Sequence, residues 1–166
     1  LPQPGEGEVL IQALWLSLDP YMRGRMRAER SYATPVGLGQ VMVGGVAGRI
    51  VQSRTPAFRE GEIVEGSLGW QEYAVSDGRN LRRVDLGLGP LSTALGVLGM
   101  PGMTAYFGFL NIGQPRTGDT VVVSAASGAV GQVVGQISKI MGCRTVGLAG
   151  TAEKIDYIVN ELGFDA

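Results

Sequence analysis

Hydrophobic and polar positions follow two different patterns along this chain, and the pattern changes near Gly96. Before the change, short β-branched segments alternate with polar positions and are separated by glycine and proline. A period of two is typical of strands with one buried face, and several short strands at this spacing indicate an irregular β-barrel. The predicted strands cover residues 9–18, 41–51, 62–66 and 71–75.

Five glycines crowd the region around the second of these strands: Gly37, Gly39, Gly44, Gly45 and Gly48. No helical pattern follows them directly, although a nucleotide-binding loop requires one. We therefore expect them at tight corners or bulges of the barrel, where the backbone bends sharply or approaches another strand closely.

After Gly96 the chain alternates between apolar runs and helical periodicity. A continuous apolar run covers residues 120–125, as in a strand buried on both faces of a parallel sheet. Apolar residues then recur at helical spacing up to Gly142, which is expected to end the helix. A second strand over residues 144–149 and a second amphipathic helix ending at Gly163 follow. This order predicts the βαβ units of a doubly wound α/β sheet.

The segment between the first of these strands and its helix, from Ser124 to Gly131, matches the G-x-G-x-x-G fingerprint of dinucleotide-binding folds, with Ala126 in place of the first glycine. Gly128 would let the backbone approach a pyrophosphate, and Gly131 would let the helix pack closely on the strand. The helix N-terminus offers unpaired N–H groups and a partial positive charge to the phosphates. The alternative is that the small residues of this turn serve only the packing of the helix against the strand.

The end of the second strand bears on the choice of cofactor. A site specific for NAD places Asp or Glu there, about twenty residues beyond the glycine turn, to bind the ribose hydroxyls. This chain has Ala149-Gly150-Thr151, which leaves room for a 2′-phosphate, and Lys154 follows in the next turn. Thr151 is the expected N-cap of the helix, so Lys154 opposes the helix dipole at a cost of about 0.3–1 kcal/mol. The pattern predicts NADP(H), the alternative being an exposed lysine without a role.

Charge and hydropathy exclude several function classes. The chain has 14 basic and 15 acidic residues, a formal net charge of −1, so no surface for nucleic acid or an anionic membrane is predicted. A basic cluster at Arg23, Arg25, Arg27 and Arg30 is expected in a solvated loop, with a role near an anionic ligand as the alternative. No apolar run approaches the roughly twenty residues that span a bilayer, so we expect a soluble cytoplasmic protein.

Histidine is absent and Cys143 is the single cysteine, so a zinc site of the usual ligand types cannot be assembled from these residues. Cys143 lies at an apolar helix end and is expected to be buried. Trp15 and Trp70 are expected in the core or at the closure of the barrel, the alternative being an aromatic substrate pocket. The chain begins without Met and stops just after a predicted helix, so we expect a fragment.

Three segments, residues 17–24, 99–106 and 121–154, together resemble the zinc-independent branch of the medium-chain dehydrogenase/reductases. Within that branch the chain is similar to the NADPH-dependent alkenal/one oxidoreductases, which include prostaglandin reductases, plant double-bond reductases and bacterial curcumin reductases. The resemblance implies a GroES-like β-barrel catalytic domain over residues 1–99. It implies the first half of a Rossmann domain over residues 100–166, without its C-terminal half. It also implies a homodimer.

The resemblance assigns roles residue by residue. The family's phosphate turn falls on Gly128, Ala129, Val130 and Gly131, and its lysine for the 2′-phosphate falls on Lys154, beyond the acid-free position at Gly150. Thr104 matches the stretch near the nicotinamide. Tyr21 matches the tyrosine of an Asp-Pro-Tyr-Met-Arg motif at the edge of the substrate pocket.

The implied reaction is hydride transfer from NADP(H) to the β-carbon of an enone, an α,β-unsaturated ketone or aldehyde. Without a metal or a histidine in this segment, a phenol is a suitable hydrogen-bond donor or proton source, and we predict Tyr21 for that role. Lining of the substrate pocket and a purely structural role are alternatives for Tyr21. Tyr32, Tyr73, Tyr106 or a tyrosine outside this segment are alternatives for the phenol. A quinone oxidoreductase of the same superfamily and a non-catalytic NADPH-binding regulatory protein stay open as functions.

Overall fold

The computed structural model describes residues 1–28 and 32–166. It divides into two compact units, Leu1–Leu95 and Gly96–Ala166. The strands are β1 (Val9–Leu16), β2 (Val46–Ser53), β3 (Ile63–Gly66), β4 (Tyr73–Ser76), β5 (Arg82–Arg83), β6 (Thr120–Val123) and β7 (Arg144–Gly147). The α-helices are α1 (Tyr21–Arg25), α2 (Met100–Tyr106), α3 (Gly131–Ile140) and α4 (Ala152–Asp156). Short 3-10 helices cover Leu86–Leu88 and Leu91–Leu95, and π-helical segments cover Phe107–Gly113 and Tyr157–Glu161.

The first unit is built on a five-stranded antiparallel sheet in the order β4-β1-β2-β3-β5. Its core lies on one face, where side chains from three strands and one loop meet: Val9, Ile11, Ile50, Phe58 and Val64. The predicted alternation is confirmed for β3, where Val64 and Gly66 are buried, but it is wrong for β1 and β2, each of which begins with three consecutive buried residues. Within the described residues the edge strands β4 and β5 do not pair with each other, so closure into a barrel stays a prediction.

The glycine cluster supplies close approaches and turns in this sheet, as expected. A Cβ on Gly48 would lie 2.4 Å from the Gln12 carbonyl oxygen, beside the irregular β1–β2 register at Ala13 and Trp15. Gly39 has a φ of 80° in a turn. The strand predicted over residues 41–51 begins later, at Val46, and ends at Ser53.

The tryptophans were predicted in the core or at the closure of the barrel, and the core part of that prediction is wrong. Trp15 is 53% exposed and Trp70 is 39% exposed. Both line a shallow cavity of about 370 Å³ where β1 separates from the segment before β4. The β1–β4 ladder ends at Gln12, and one further backbone bond follows, from the Ala13 N–H to the Glu72 carbonyl at 2.8 Å, before the cavity opens.

Helix α1 was not predicted, because five residues with an internal glycine give no periodic signal. Pro20 precedes it with a φ of −55°, which is already helical and suits a helix start. The basic cluster expected in a solvated loop therefore begins inside this helix, with Arg23 and Arg25 in its last turn. Arg30 lies outside the described residues.

The second unit contains one parallel pair, β6 with β7, connected through α3 as the periodicity predicts. Its core consists of Val123, Ala126, Ile158 and Phe164. Gly142 and Gly163 end their helices with φ values of 74° and 72°, as expected of left-handed C-terminal glycines. Cys143 is buried at 5% exposure, also as expected.

The prediction that β6 is buried on both faces is wrong for this structure. Val122 is 61% exposed, because β6 pairs with β7 alone among the described strands and no element covers the face on which Val122 lies. The apolar run also leaves strand geometry at Val123, where the turn toward α3 begins. Across the described parts of the chain, no helix combines the length and apolar character needed to cross a bilayer.

Candidate functional site

The turn between β6 and α3 reverses the chain through a strained backbone position. Ala125 has a φ of 48°, a left-handed conformation that costs a residue with a Cβ about 1 kcal/mol. The Ala125 carbonyl accepts a hydrogen bond of 2.8 Å from the Gly128 N–H. Leu148 also fixes the turn from the end of β7, because its carbonyl accepts the Ala126 N–H at 3.1 Å. The turn is therefore held on both sides.

Two glycines of α3 are required by packing. A Cβ on Gly131 would lie 2.4 Å from the Ala125 carbonyl oxygen, and one on Gly135 would overlap the ring of Phe164. Neither obstacle is a flexible side-chain end, so the helix can lie this close to the strand turn and the core only without those methyl groups. The predicted role of Gly131 in close helix packing is confirmed.

Packing does not explain Gly128 in the same way. Within 4 Å its Cβ would meet the Ala125 carbonyl oxygen alone, at 3.1 Å, and the residue is exposed with an ordinary negative φ. The next three backbone N–H groups, of Ala129, Val130 and Gly131, have no acceptor among the described residues. An exposed glycine before three free N–H groups at a helix N-terminus is suited to bind a phosphate.

The end of β7 offers an open, acid-free surface beside this turn. Residues 148–151 carry no carboxylate, and a Cβ on Gly150 would meet nothing within 4 Å. The Thr151 hydroxyl accepts the Lys154 N–H at 3.3 Å, which confirms Thr151 as the N-cap of α4. The Lys154 side chain has no ion-pair partner among the described residues and is exposed. The residues present therefore fit the adenosine end of a phosphorylated dinucleotide.

Thr104 lies in α2, where its hydroxyl donates a hydrogen bond of 2.7 Å to the Met100 carbonyl. This bond uses the hydroxyl proton and leaves the oxygen lone pairs exposed for a donor. Placement of Thr104 near a nicotinamide stays a prediction.

Tyr21 begins α1 in the first unit and is half-buried. Burial raises the pKa of the Tyr21 phenol above its ordinary value, and the negative charge of Asp19 raises it further. The Tyr21 hydroxyl has no hydrogen-bond partner within the described residues. Asp19 is itself held by a 2.8 Å bond from the Ser17 hydroxyl. Tyr21 thus presents a protonated, unengaged phenol, as a proton or hydrogen-bond donor requires.

The other candidate tyrosines differ from Tyr21 in their exposure and in their neighbours. Tyr32 is 86% exposed, and Tyr106 packs edge-on against Phe107 with ring centroids 5.3 Å apart. Tyr73 lies on β4, half-buried and opposite Gln12 in the sheet.

Sequence reasoning missed the contact between Tyr157 and Gln132. The Tyr157 hydroxyl donates a 3.3 Å hydrogen bond to Oε1 of Gln132, and so connects the helix that follows β7 with the first turn of α3. The sequence offered a signal for Tyr157 only, which lies three residues beyond Lys154 and shares its helix face, and no spacing rule connects Tyr157 with Gln132.

Comparison with known proteins gives concordant matches. A family model described as the N-terminal domain of oxidoreductase matches residues 1–84. NADPH-dependent curcumin reductase from Escherichia coli is 56% identical over 164 residues, 98% of this chain and 47% of that protein. Prostaglandin reductase 1 from Oryctolagus cuniculus is 48% identical over 99% of this chain and 46% of its own length. The NADP(+)-dependent 2-alkenal reductase from Nicotiana tabacum is 45% identical over 97% and 48%.

Solved structures match over the same span. CurA from Vibrio vulnificus in complex with NADPH has a TM-score of 0.93 and 52% identity, covering 99% of this chain and 49% of that one. A quinone oxidoreductase from Pseudomonas syringae has a TM-score of 0.74 at 23% identity, which shows a shared fold alone. The chain spans about half the length of the curated relatives that it matches.

Proposed function

Because this chain belongs to the NADPH-dependent medium-chain dehydrogenase/reductase family whose N-terminal oxidoreductase domain covers residues 1–84, we propose that the full-length protein is an enone reductase. It would reduce the carbon–carbon double bond of α,β-unsaturated ketones and aldehydes with NADPH and without zinc. The observation on which this rests most is the exposed glycine turn beside an acid-free strand end and a free lysine. The relatives named curcumin reductase and 2-alkenal reductase support the substrate class.

The two units would have different functions. We assign residues 1–99 to a GroES-like barrel that provides the substrate side, supported by the five-stranded antiparallel sheet. We assign residues 100–166 to the first half of a Rossmann domain, supported by the parallel β6–β7 pair and its crossover helix. Cytoplasmic location and homodimeric assembly stay predictions.

Two kinds of group would hold the cofactor: backbone N–H groups at the turn before α3, and the charged side chain of Lys154. Gly128 admits the pyrophosphate, and the free N–H groups of Ala129, Val130 and Gly131 donate to it. The open surface at Gly150 accommodates the 2′-phosphate, and the ammonium of Lys154 pairs with it.

Thr104 would lie beside the nicotinamide, its hydroxyl fixed by Met100. When bound, NADPH supplies the hydride that reaches the β-carbon of the substrate.

Tyr21 would stabilise the negative charge that develops on the substrate oxygen, or deliver the proton to the α-carbon. Both roles need a protonated phenol, and burial together with Asp19 keeps the Tyr21 pKa raised. A hydroxyl that is not bonded to the protein is free to donate its hydrogen bond to the substrate oxygen.

Tyr21→Phe removes this hydroxyl and keeps the ring. We expect kcat for an enone to fall about 100-fold, within the usual range for loss of a general acid, with KM changed less than about three-fold. In the parent protein kcat should fall only above the ordinary tyrosine pKa of about 10, because the raised pKa keeps the active, protonated form to higher pH. The same change at Tyr73 on β4 is the control and should leave kcat unaltered. Unchanged turnover in Tyr21→Phe would remove Tyr21 from the mechanism.

A simple enone and a simple quinone, each assayed with NADPH, test the proposed function against a quinone oxidoreductase. We expect oxidation of NADPH with the enone and at least about ten-fold lower kcat/KM with the quinone. Turnover of the quinone alone would overturn the proposal. Binding of NADPH without turnover of either compound would indicate a regulatory protein instead.

A further inference from the structure

The hydrogen bond between Tyr157 and Gln132 connects the two parts of the proposed cofactor site. Gln132 is the second residue of α3, and its own N–H donates to the Gly128 carbonyl at 3.0 Å. Its side-chain oxygen accepts the Tyr157 hydroxyl at 3.3 Å. Gly128 belongs to the phosphate turn, so Tyr157 reaches that turn through one intermediate residue.

Tyr157 also shares a helix face with Lys154. The two residues lie three positions apart on one continuous helical stretch, and therefore on the same face. The stretch changes from α to π geometry at Tyr157, and the next residue, Ile158, is completely buried in the core. Such a π-helical segment alters the direction of the side chains that follow α4, and segments of this kind often occur at functional sites.

Burial does not account for Tyr157 itself. Its side chain is 40% exposed, whereas the core of this unit is made by Ile158 and its neighbours. The contact that the structure records for its polar end is the bond to Gln132. A tyrosine at this position is thus better explained by its hydroxyl than by its ring.

We propose that Tyr157 and Gln132 form a positioning pair that holds the Lys154 face of α4 at a fixed distance from the phosphate turn, and so favours NADPH over NADH. This inference rests on the proposed NADP(H) site. NADPH must contact the turn with its pyrophosphate and the lysine with its 2′-phosphate at once. NADH lacks the 2′-phosphate and requires the turn alone. A pair that sets the distance between these contacts therefore acts on one cofactor and not on the other.

The test is the affinity of the full-length protein for NADPH and NADH, measured by cofactor fluorescence in Tyr157→Phe, Gln132→Ala and the double variant. We expect each single change to raise Kd for NADPH about five-fold, the effect of one lost neutral hydrogen bond, and to change Kd for NADH less than about two-fold. The double variant should lose no more affinity for NADPH than either single variant, because each single change removes the same hydrogen bond.

Gln136→Ala is the matched control, since it changes the same residue type one turn later on α3. The Gln136 amide donates to the Gln132 backbone carbonyl at 3.2 Å, not to the Gln132 side chain. We expect its NADPH to NADH preference to equal that of the parent protein.

Three results would overturn the inference. An unchanged cofactor preference in Tyr157→Phe, in a parent protein that does prefer NADPH, would leave the pair a purely structural role and the proposed function intact. Equal increases in Kd for NADPH and NADH would show that the pair acts on the phosphate turn and not through Lys154. A parent protein that does not prefer NADPH would contradict the proposed cofactor site and this inference together.

Discussion

Lys154→Ala should raise Kd for NADPH about 10- to 100-fold and leave Kd for NADH within about two-fold of its original value. A hydrogen bond to a charged group contributes about 1.5–3 kcal/mol, and each 1.4 kcal/mol changes Kd ten-fold. Lys154 has no partner to lose in the unliganded protein, because its side chain is exposed and forms no ion pair among the described residues. The whole effect should therefore be seen in cofactor binding, measured by titration of fluorescence.

Lys139→Ala provides the matched control, since it removes the same charge from the last turn of α3, at the end away from the turn that follows β6. Lys139 is paired with Asp165 at 2.6 Å, so its loss should lower stability slightly without altering cofactor preference. If Lys154→Ala preserved the preference for NADPH, the 2′-phosphate assignment would be wrong.

Gly131→Ala should lower the free energy of unfolding by about 3 kcal/mol, the upper part of the usual range for overpacking. Its new Cβ would lie 2.4 Å from the Ala125 carbonyl oxygen and 2.9 Å from the Ala126 Cα. Both obstacles are backbone, and Ala125 is already in a left-handed conformation, so neither can move cheaply. The midpoint of urea unfolding measures the effect.

Gly128→Ala, compared with Gly131→Ala, separates a role in ligand binding from a role in packing. Its Cβ would meet the Ala125 oxygen alone, at 3.1 Å, so the fold should survive with a loss of less than about 1 kcal/mol. Affinity for NADPH and NADH should fall together, about ten-fold each, because both cofactors bring a pyrophosphate to this turn. Equal stability losses in the two variants would show that Gly128 serves packing and not a ligand.

Much of the second unit could be predicted from sequence because its signals are local. Apolar periodicity fixed β6, α3 and β7 to within a few residues, and Thr151 and Gly142 marked helix ends through capping chemistry that depends on their own side chain or backbone. The turn between β6 and α3 was equally local, since it lies between two adjacent elements.

Features that depend on distant neighbours could not be predicted in this way. The exposure of Val122 and Trp15 depends on which strands lie beside them. The pattern of apolar residues along a strand does not tell which strands become its neighbours. The contact between Gln132 and Tyr157 joins residues 25 positions apart, and no spacing rule connects them. Helix α1 was too short to give a period, so the position of Tyr21 at its start became visible only in three dimensions.

The most direct test of enone reduction follows the label from NADPH deuterated at C4 into the product of a simple enone, using the full-length protein. We expect a saturated ketone with deuterium on the β-carbon, unlabelled hydrogen from water on the α-carbon, and turnover at least about ten-fold faster with NADPH than with NADH at subsaturating cofactor. Deuterium on the carbonyl carbon, giving an unsaturated alcohol, would contradict it.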